Sequence, residues 1–132
     1  MKQATPLEQA VLQKLLEGPN VILERLREQL LDAEVTARKF TGVGFYTRFK
    51  ISRQTARVPG IKSSKLDDLI ADIPGVETGA GFLLSIKDGL INELEGYTYG
   101  GETWPSEIQK FELKYSTGGE RDLNELSRLI GT

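Results

Sequence analysis

The chain has 132 residues, 39% of them hydrophobic and 27% charged, with a formal net charge of −2 and neither Cys nor His. That length suits one compact domain that buries a core without covalent staples. The missing Cys and His exclude disulfides, thiolate nucleophiles, Ser-His-Asp and Cys-His catalysis and the usual zinc sites.

The first segment predicts a helix with a chemical start signal. Thr5-Pro6-Leu7-Glu8 supplies an N-cap hydroxyl, a proline at the first helical position and a glutamate three residues after the cap. Leu7, Val11, Leu12, Leu15 and Leu16 then recur on one face, and Gly18-Pro19 ends the run. Asn20 caps a second helix reaching about Asp32, with Ile22, Leu23, Leu26, Leu30 and Leu31 as its apolar stripe. The short link makes the pair a helical hairpin. Nothing here reads as a secretory leader, and no run approaches the ~18 apolar residues of a membrane span. A cytoplasmic protein with no membrane partner is the expectation.

From residue 34 the period changes. Phe45, Thr47, Phe49 and Ile51 alternate with Tyr46, Arg48 and Lys50, a strand pattern. Gly42 and Gly44 interrupt residues 35–51, which leaves two strands, or one strand with a bulge, as open readings. Residues 52–65 predict a long loop, and residues 66–73 a short helix stopped by Pro74-Gly75. Asp88-Gly89 between residues 82–87 and 90–95 is a strong two-residue hairpin signal. Direct pairing across it puts Glu93 and Glu95 on the same face as Phe82, Leu84, Ile86 and Ile91, a conflict that calls for a bulge or a polar pocket. Phe111, Leu113 and Tyr115 mark a last strand, and residues 122–130 a closing helix. The expected fold is α+β over residues 1–132 as one domain: an N-terminal helical hairpin, a four- to five-stranded mostly antiparallel sheet and a short C-terminal helix.

The small net charge hides a division. Residues 36–66 carry eight basic and no acidic side chains, whereas residues 67–107 carry nine acidic ones against Lys87 alone. Arg38, Lys39, Arg48, Lys50, Arg53 and Arg57, interleaved with Phe40, Phe45, Tyr46 and Phe49, are candidate anion contacts, and such a pattern can bind single-stranded nucleic acid. A pI near 5.3 disfavours that use. Cross-strand neutralisation by the acidic block is the structural reading of the same residues.

Two short segments echo one another. Thr41-Gly42-Val43-Gly44-Phe45 and Thr78-Gly79-Ala80-Gly81-Phe82 share a T-G-x-G-F pattern at the start of a strand. With no third glycine and no following helix, it is no nucleotide-binding signature. A third feature, residues 95–105, gathers Tyr97, Tyr99 and Trp104 among glycines beside Glu93, Glu95 and Glu102. These six residues are the candidate partner or ligand surface, since Tyr and Trp give rigid amphipathic contact area. The same carboxylates are candidates for acid-base work, with Tyr97 or Tyr99 as a polar positioning group, and their spacing specifies no reaction. The alternative for the aromatic residues is burial in the core.

Taken together, Thr41-Gly42-Val43-Gly44-Phe45-Tyr46-Thr47-Arg48-Phe49, Gly79-Ala80-Gly81-Phe82 and Leu94-Glu95-Gly96-Tyr97-Thr98-Tyr99-Gly100 followed by Trp104-Pro105 resemble a family of small uncharacterised bacterial proteins. The resemblance implies a bacterial, single-domain, cytoplasmic protein and transfers no activity or site residue. The expected function is that of a non-catalytic binding protein for another protein or a small molecule, with an immunity-type, toxin-neutralising role as its specific form. A small-ligand carrier or carboxylate-only enzyme and a weak RNA or single-stranded nucleic-acid binder are the alternatives. No cofactor or metal is implied.

Overall fold

The computed structural model of the chain describes residues 1–52, 57–61 and 63–130. Helices α1 (Pro6–Leu15) and α2 (Val21–Leu30) lead into strands β1 (Ala33–Phe40), β2 (Gly44–Ile51), β3 (Ser63–Ile73), β4 (Val76–Lys87), β5 (Leu90–Thr98) and β6 (Glu112–Tyr115), and α3 (Leu123–Ile130) closes the chain. The strands form one sheet in the order β1-β2-β5-β4-β3-β6, with every neighbouring pair antiparallel. The α+β architecture is the expected one, with six strands in place of four or five.

Both leading helices start as their sequences dictate. Thr5 Oγ1 accepts from Glu8 N at 3.1 Å while Glu8 Oε1 accepts from Thr5 N at 2.8 Å, a reciprocal capping box. Asn20 Oδ1 accepts from Ile22 N and Leu23 N. Arg27 of α2 reaches back to the carbonyls of Leu16, at the end of α1, and Gly18, in the link, locking the hairpin. The stripes Leu7, Val11, Leu12, Leu15 and Leu23, Leu26, Leu30 are buried in one apolar cluster with the inner side chains of the sheet. Buried Gln29 joins α2 to the β4–β5 turn, donating to Gly89 O at 2.9 Å and accepting from Ile91 N at 2.8 Å.

The extra strand comes from residues 66–73, which are not helical. Leu66, Leu69, Ile70 and Ile73 have helical spacing, yet they lie in β3, where a register shift between Leu66 and Leu69 inserts one residue. The bulge converts an i, i+2 alternation into an apparent i, i+3 step, so Leu66, Leu69, Ala71 and Ile73 all face the core. It also turns Asp68 inward, where Arg121 meets it with two parallel bonds of 2.7 and 2.9 Å. The stretch expected as a long loop is shortened at its C-terminal end, since β3 begins at Ser63.

Elsewhere the open readings close. Residues 35–51 form two strands, β1 and β2, turning at the glycines. Asp88 and Gly89 take φ of 52° and 75°, as a two-residue turn of inverted hand requires. The conflict around Glu93 is resolved by a bulge: Ile86 pairs with Ile91, but Ser85 pairs with Glu93, leaving Asn92 as the extra residue. Leu94 therefore faces the core opposite Leu84, and Glu93 and Glu95 face the other side.

Candidate functional site

The registers divide the sheet into two faces. Phe45, Gly96, Phe82, Leu69 and Tyr115 are aligned across β2, β5, β4, β3 and β6 on the inner face, under the helices. The next row, Tyr46, Glu95 and Leu83, lies on the outer face, as do Arg48, Glu93 and Ser85, and Tyr97 with Gly81 and Ile70. No helix among the described residues packs on that outer face, whose side chains are half-buried or exposed.

Trp104 belongs to the inner face. It is 8% exposed and packs edge-on against Phe45 at 5.3 Å and Phe82 at 6.4 Å, the two phenylalanines of the T-G-x-G-F echo. Gly96 lies between these strands, and a methyl group there would meet Phe45 Cε1 at 2.3 Å. The first glycine of each echo, Gly42 and Gly79, has a positive φ of 90° and 80°. The carbonyl of Gly42 accepts from Trp104 N at 2.8 Å. The first copy of the echo enters β2, whereas the second lies inside β4, which begins at Val76, and together they seat one tryptophan.

Tyr97 and Tyr99 take the opposite side. Their rings meet edge-to-face at 5.6 Å, and Tyr99 is 52% exposed. Both hydroxyl ends lie over Gly81, where a methyl group would approach them to 2.6 and 2.8 Å. Burial, together with neighbouring Tyr99, pushes the Tyr97 phenol up to about 12. Tyr46 stands near them, its phenol raised by the hydrogen bond it gives to Glu95.

The three candidate carboxylates all have partners. Glu93 lies opposite Arg48 on β2 and pairs with it at 3.3 Å. Glu95 accepts from Tyr46. Glu102 accepts from Thr78 Oγ1 and from the amides of Glu77 and Thr78 at 2.7 and 2.9 Å, which hold its carboxyl below the usual range. It fastens the 99–104 loop to the start of β4. Glu93, Glu95, Tyr97 and Tyr99 are therefore brought together on the outer face, and Trp104 and Glu102 are not.

The basic candidates scatter. Arg38 points to the inner side, where Nε and Nη2 bind the two oxygens of Glu8 at 3.1 and 2.6 Å. Arg48 is on the outer face with Glu93, exposed Lys39 is opposite Tyr46, and exposed Lys50 is opposite Glu34. Arg57 Nη1 donates to the Asp88 carbonyl at 2.5 Å. Arg53 lies outside the described residues. The basic and acidic blocks do meet across β2 and β5, as the neutralising reading requires.

Sequence reasoning missed Glu8 as more than a capping residue. It is 2% exposed and also accepts from Thr47 Oγ1 at 2.5 Å. Burial pushes its carboxyl up, but Arg38, Thr47 and the Thr5 amide outweigh this and hold it below the ordinary 4.5. The Glu8–Arg38 pair lies beside a cavity of about 290 Å³ walled by Pro6, Phe40, Phe45, Trp104 and Ile108. The available signal was a glutamate that is both a capping residue and next to a core position of the helical stripe.

Among the described residues no group of His, Cys, Asp and Glu is arranged to hold a metal ion, and no helix is long and apolar enough to cross a membrane. Protein-family models, curated proteins and solved structures give no match to the chain.

Proposed function

We propose that the chain is a non-catalytic binding protein of the cytoplasm that engages a partner protein through the outer face of its sheet. The observation that carries this reading is the Tyr97–Tyr99 pair, held over Gly81 on the face that no described helix covers. Tyrosines fixed this way offer apolar area and hydroxyls at little entropic cost, and charges of both signs, Glu95, Lys39, Arg48 and Glu93, share their face towards β1 and β2. That mosaic suits a protein surface of mixed charge better than a polyanion. A carboxylate-only enzyme is less well supported, because each candidate carboxylate is already held by a structural partner. The specific form of the proposal is an immunity-type protein that neutralises a toxic partner by covering it, a role that small size and a pI near 5.3 suit.

A photo-crosslinking phenylalanine analogue placed at Tyr99, in the cells that make the protein, tests this. The proposal expects one stoichiometric adduct from position 99 and none from the equally exposed Leu123 on α3. Recovery of unmodified monomer from both positions would remove it.

A further inference from the structure

We infer that the free half of the β1 edge accepts an extended segment of the partner protein as an added strand, acidic on one face and apolar on the other. This rests on the reading of the chain as a protein-binding protein and specifies a contact distinct from the tyrosine face.

The edge is half occupied already. Lys2 lies parallel to β1, donating to Ala33 O at 2.8 Å and accepting from Val35 N at 3.1 Å. The chain then turns away at Gln3, whose φ of 65° is unusual for a residue with a side chain, and runs into α1. Beyond this point no strand among the described residues accompanies β1 on this edge. Thr41 N donates to Gly44 O, which sets the alternation of the β1–β2 ladder. At Arg38 and Phe40, opposite Thr47 and Phe45, the N–H and C=O therefore point away from β2. No partner is found for these main-chain groups among the described residues. Such a row of unmet donors and acceptors is what an incoming strand pairs with.

Each side of this edge has a hollow. On the helix side, the cavity of about 290 Å³ is walled by Phe40, Phe45 and Trp104, and Phe40 is 67% exposed at its mouth. On the outer side, a depression of about 310 Å³ is lined by Lys39, Tyr46, Arg48 and Glu93. Side chains of an added strand alternate between these two sides. One set is offered an apolar cavity, and the other is offered Lys39 beside the Arg48–Glu93 pair. Arg38 is paired with Glu8 and Arg48 with Glu93, so exposed Lys39 is the cation that an acidic side chain of the added strand meets. A second copy of the chain fits poorly, because antiparallel β1–β1 pairing centred on Arg38 or on Lys39 sets that cation against its own copy.

The test titrates into the full chain ten-residue peptides that alternate glutamate with valine, isoleucine or phenylalanine. Trp104, the only tryptophan of the chain, reports on the cavity by its emission, and amide hydrogen exchange reports on the edge. In the free protein the Val35 amide is expected to exchange slowly and those of Arg38 and Phe40 fast. Binding is expected to shift Trp104 emission saturably and to slow exchange at Arg38 and Phe40 at least about tenfold. N-methylation of the peptide at alternate residues should abolish the effect, and replacing glutamate by lysine should weaken it about tenfold. Undiminished binding of the N-methylated peptide would overturn the inference. So would an emission change without protection at Arg38 and Phe40, as a small apolar ligand would give, or no response to any peptide. Protection that arises without peptide, at protein concentrations where sedimentation shows a dimer, would assign the edge to a second copy instead. A crosslink from position 99 with no peptide response would defeat the edge alone, and peptide binding without that crosslink would defeat the outer-face reading alone.

Discussion

Two aromatic groups sit back to back through the sheet, and their surroundings differ in every respect that decides between stability and contact. On the inner side Phe45, Phe82 and Trp104 close around Gly96 under the helices. On the outer side Tyr97 and Tyr99 lie across Gly81 facing solvent. Both groups use a glycine as a seat, and both draw on the repeated T-G-x-G-F pattern. The inner seat is bounded by a ring that cannot retreat, whereas the outer one is bounded by the free ends of two tyrosines. The same residue type is therefore a packing requirement on one face and a display device on the other.

The sharpest way to break the inner group is Trp104→Ala. Removing this buried indole should cost about 4 kcal/mol of unfolding free energy, measured by urea denaturation, because neither phenylalanine can fill the space. Gly96→Ala should cost about 3 kcal/mol in the same assay, since the new methyl group lands on Phe45. A loss under about 0.5 kcal/mol for either would mean that the inner group is loosely packed.

Glu8→Gln tests the polar edge of that core. It leaves the inward Arg38 guanidinium without its anion, for an expected loss of about 2 kcal/mol. Its pH dependence has a definite sign. The folded-state pKa of Glu8 is lowered, so the native protein binds fewer protons at this group than the unfolded chain does. The stabilisation is complete above the ordinary value of 4.5 and is lost as pH falls below it through the folded-state value. The glutamine variant should lack that part of the acid decline, and a parallel decline in both proteins would contradict the role given to Glu8.

How far the sequence disclosed these parts follows from how local each signal is. Capping at Thr5 and Asn20, the two helical stripes and the Asp88-Gly89 turn are short-range chemistry, and each forms where its residues stand. Residues 66–73 misled because one inserted residue at Asp67-Asp68 makes a strand imitate helical spacing. The insertion at Asn92 is signalled by the misplaced carboxylates Glu93 and Glu95, so there the conflict itself was legible. The candidate surface was half readable. Proximity along the chain groups Tyr97 and Tyr99 with Trp104, but Trp104 lies beyond the end of β5 and folds back under the opposite face. Arg38 looked like a free cation because its anion, Glu8, is thirty residues away on a helix.

Gly81→Ala has a smaller expected effect and sharpens the contrast. The atoms nearest the added methyl group belong to tyrosine side chains that can swing into solvent, so a loss of about 1 kcal/mol or less is expected in urea. The spectroscopic consequence is more distinctive: with Tyr97 displaced, the phenol now held up at about 12 should titrate closer to 10 in an ultraviolet pH titration. An unchanged high titration would show that the pair does not depend on its glycine seat.

The most direct test of a stabilising face opposed to a contacting face is the double variant Tyr97→Ser, Tyr99→Ser, measured for both unfolding and partner capture. For capture, the crosslinker is moved to Tyr46, on the same outer face. The account predicts an unfolding free energy within about 1 kcal/mol of the parent, as for partly exposed side chains, together with loss of the crosslinked adduct. A collapse in stability, or an adduct retained at full yield, would contradict it.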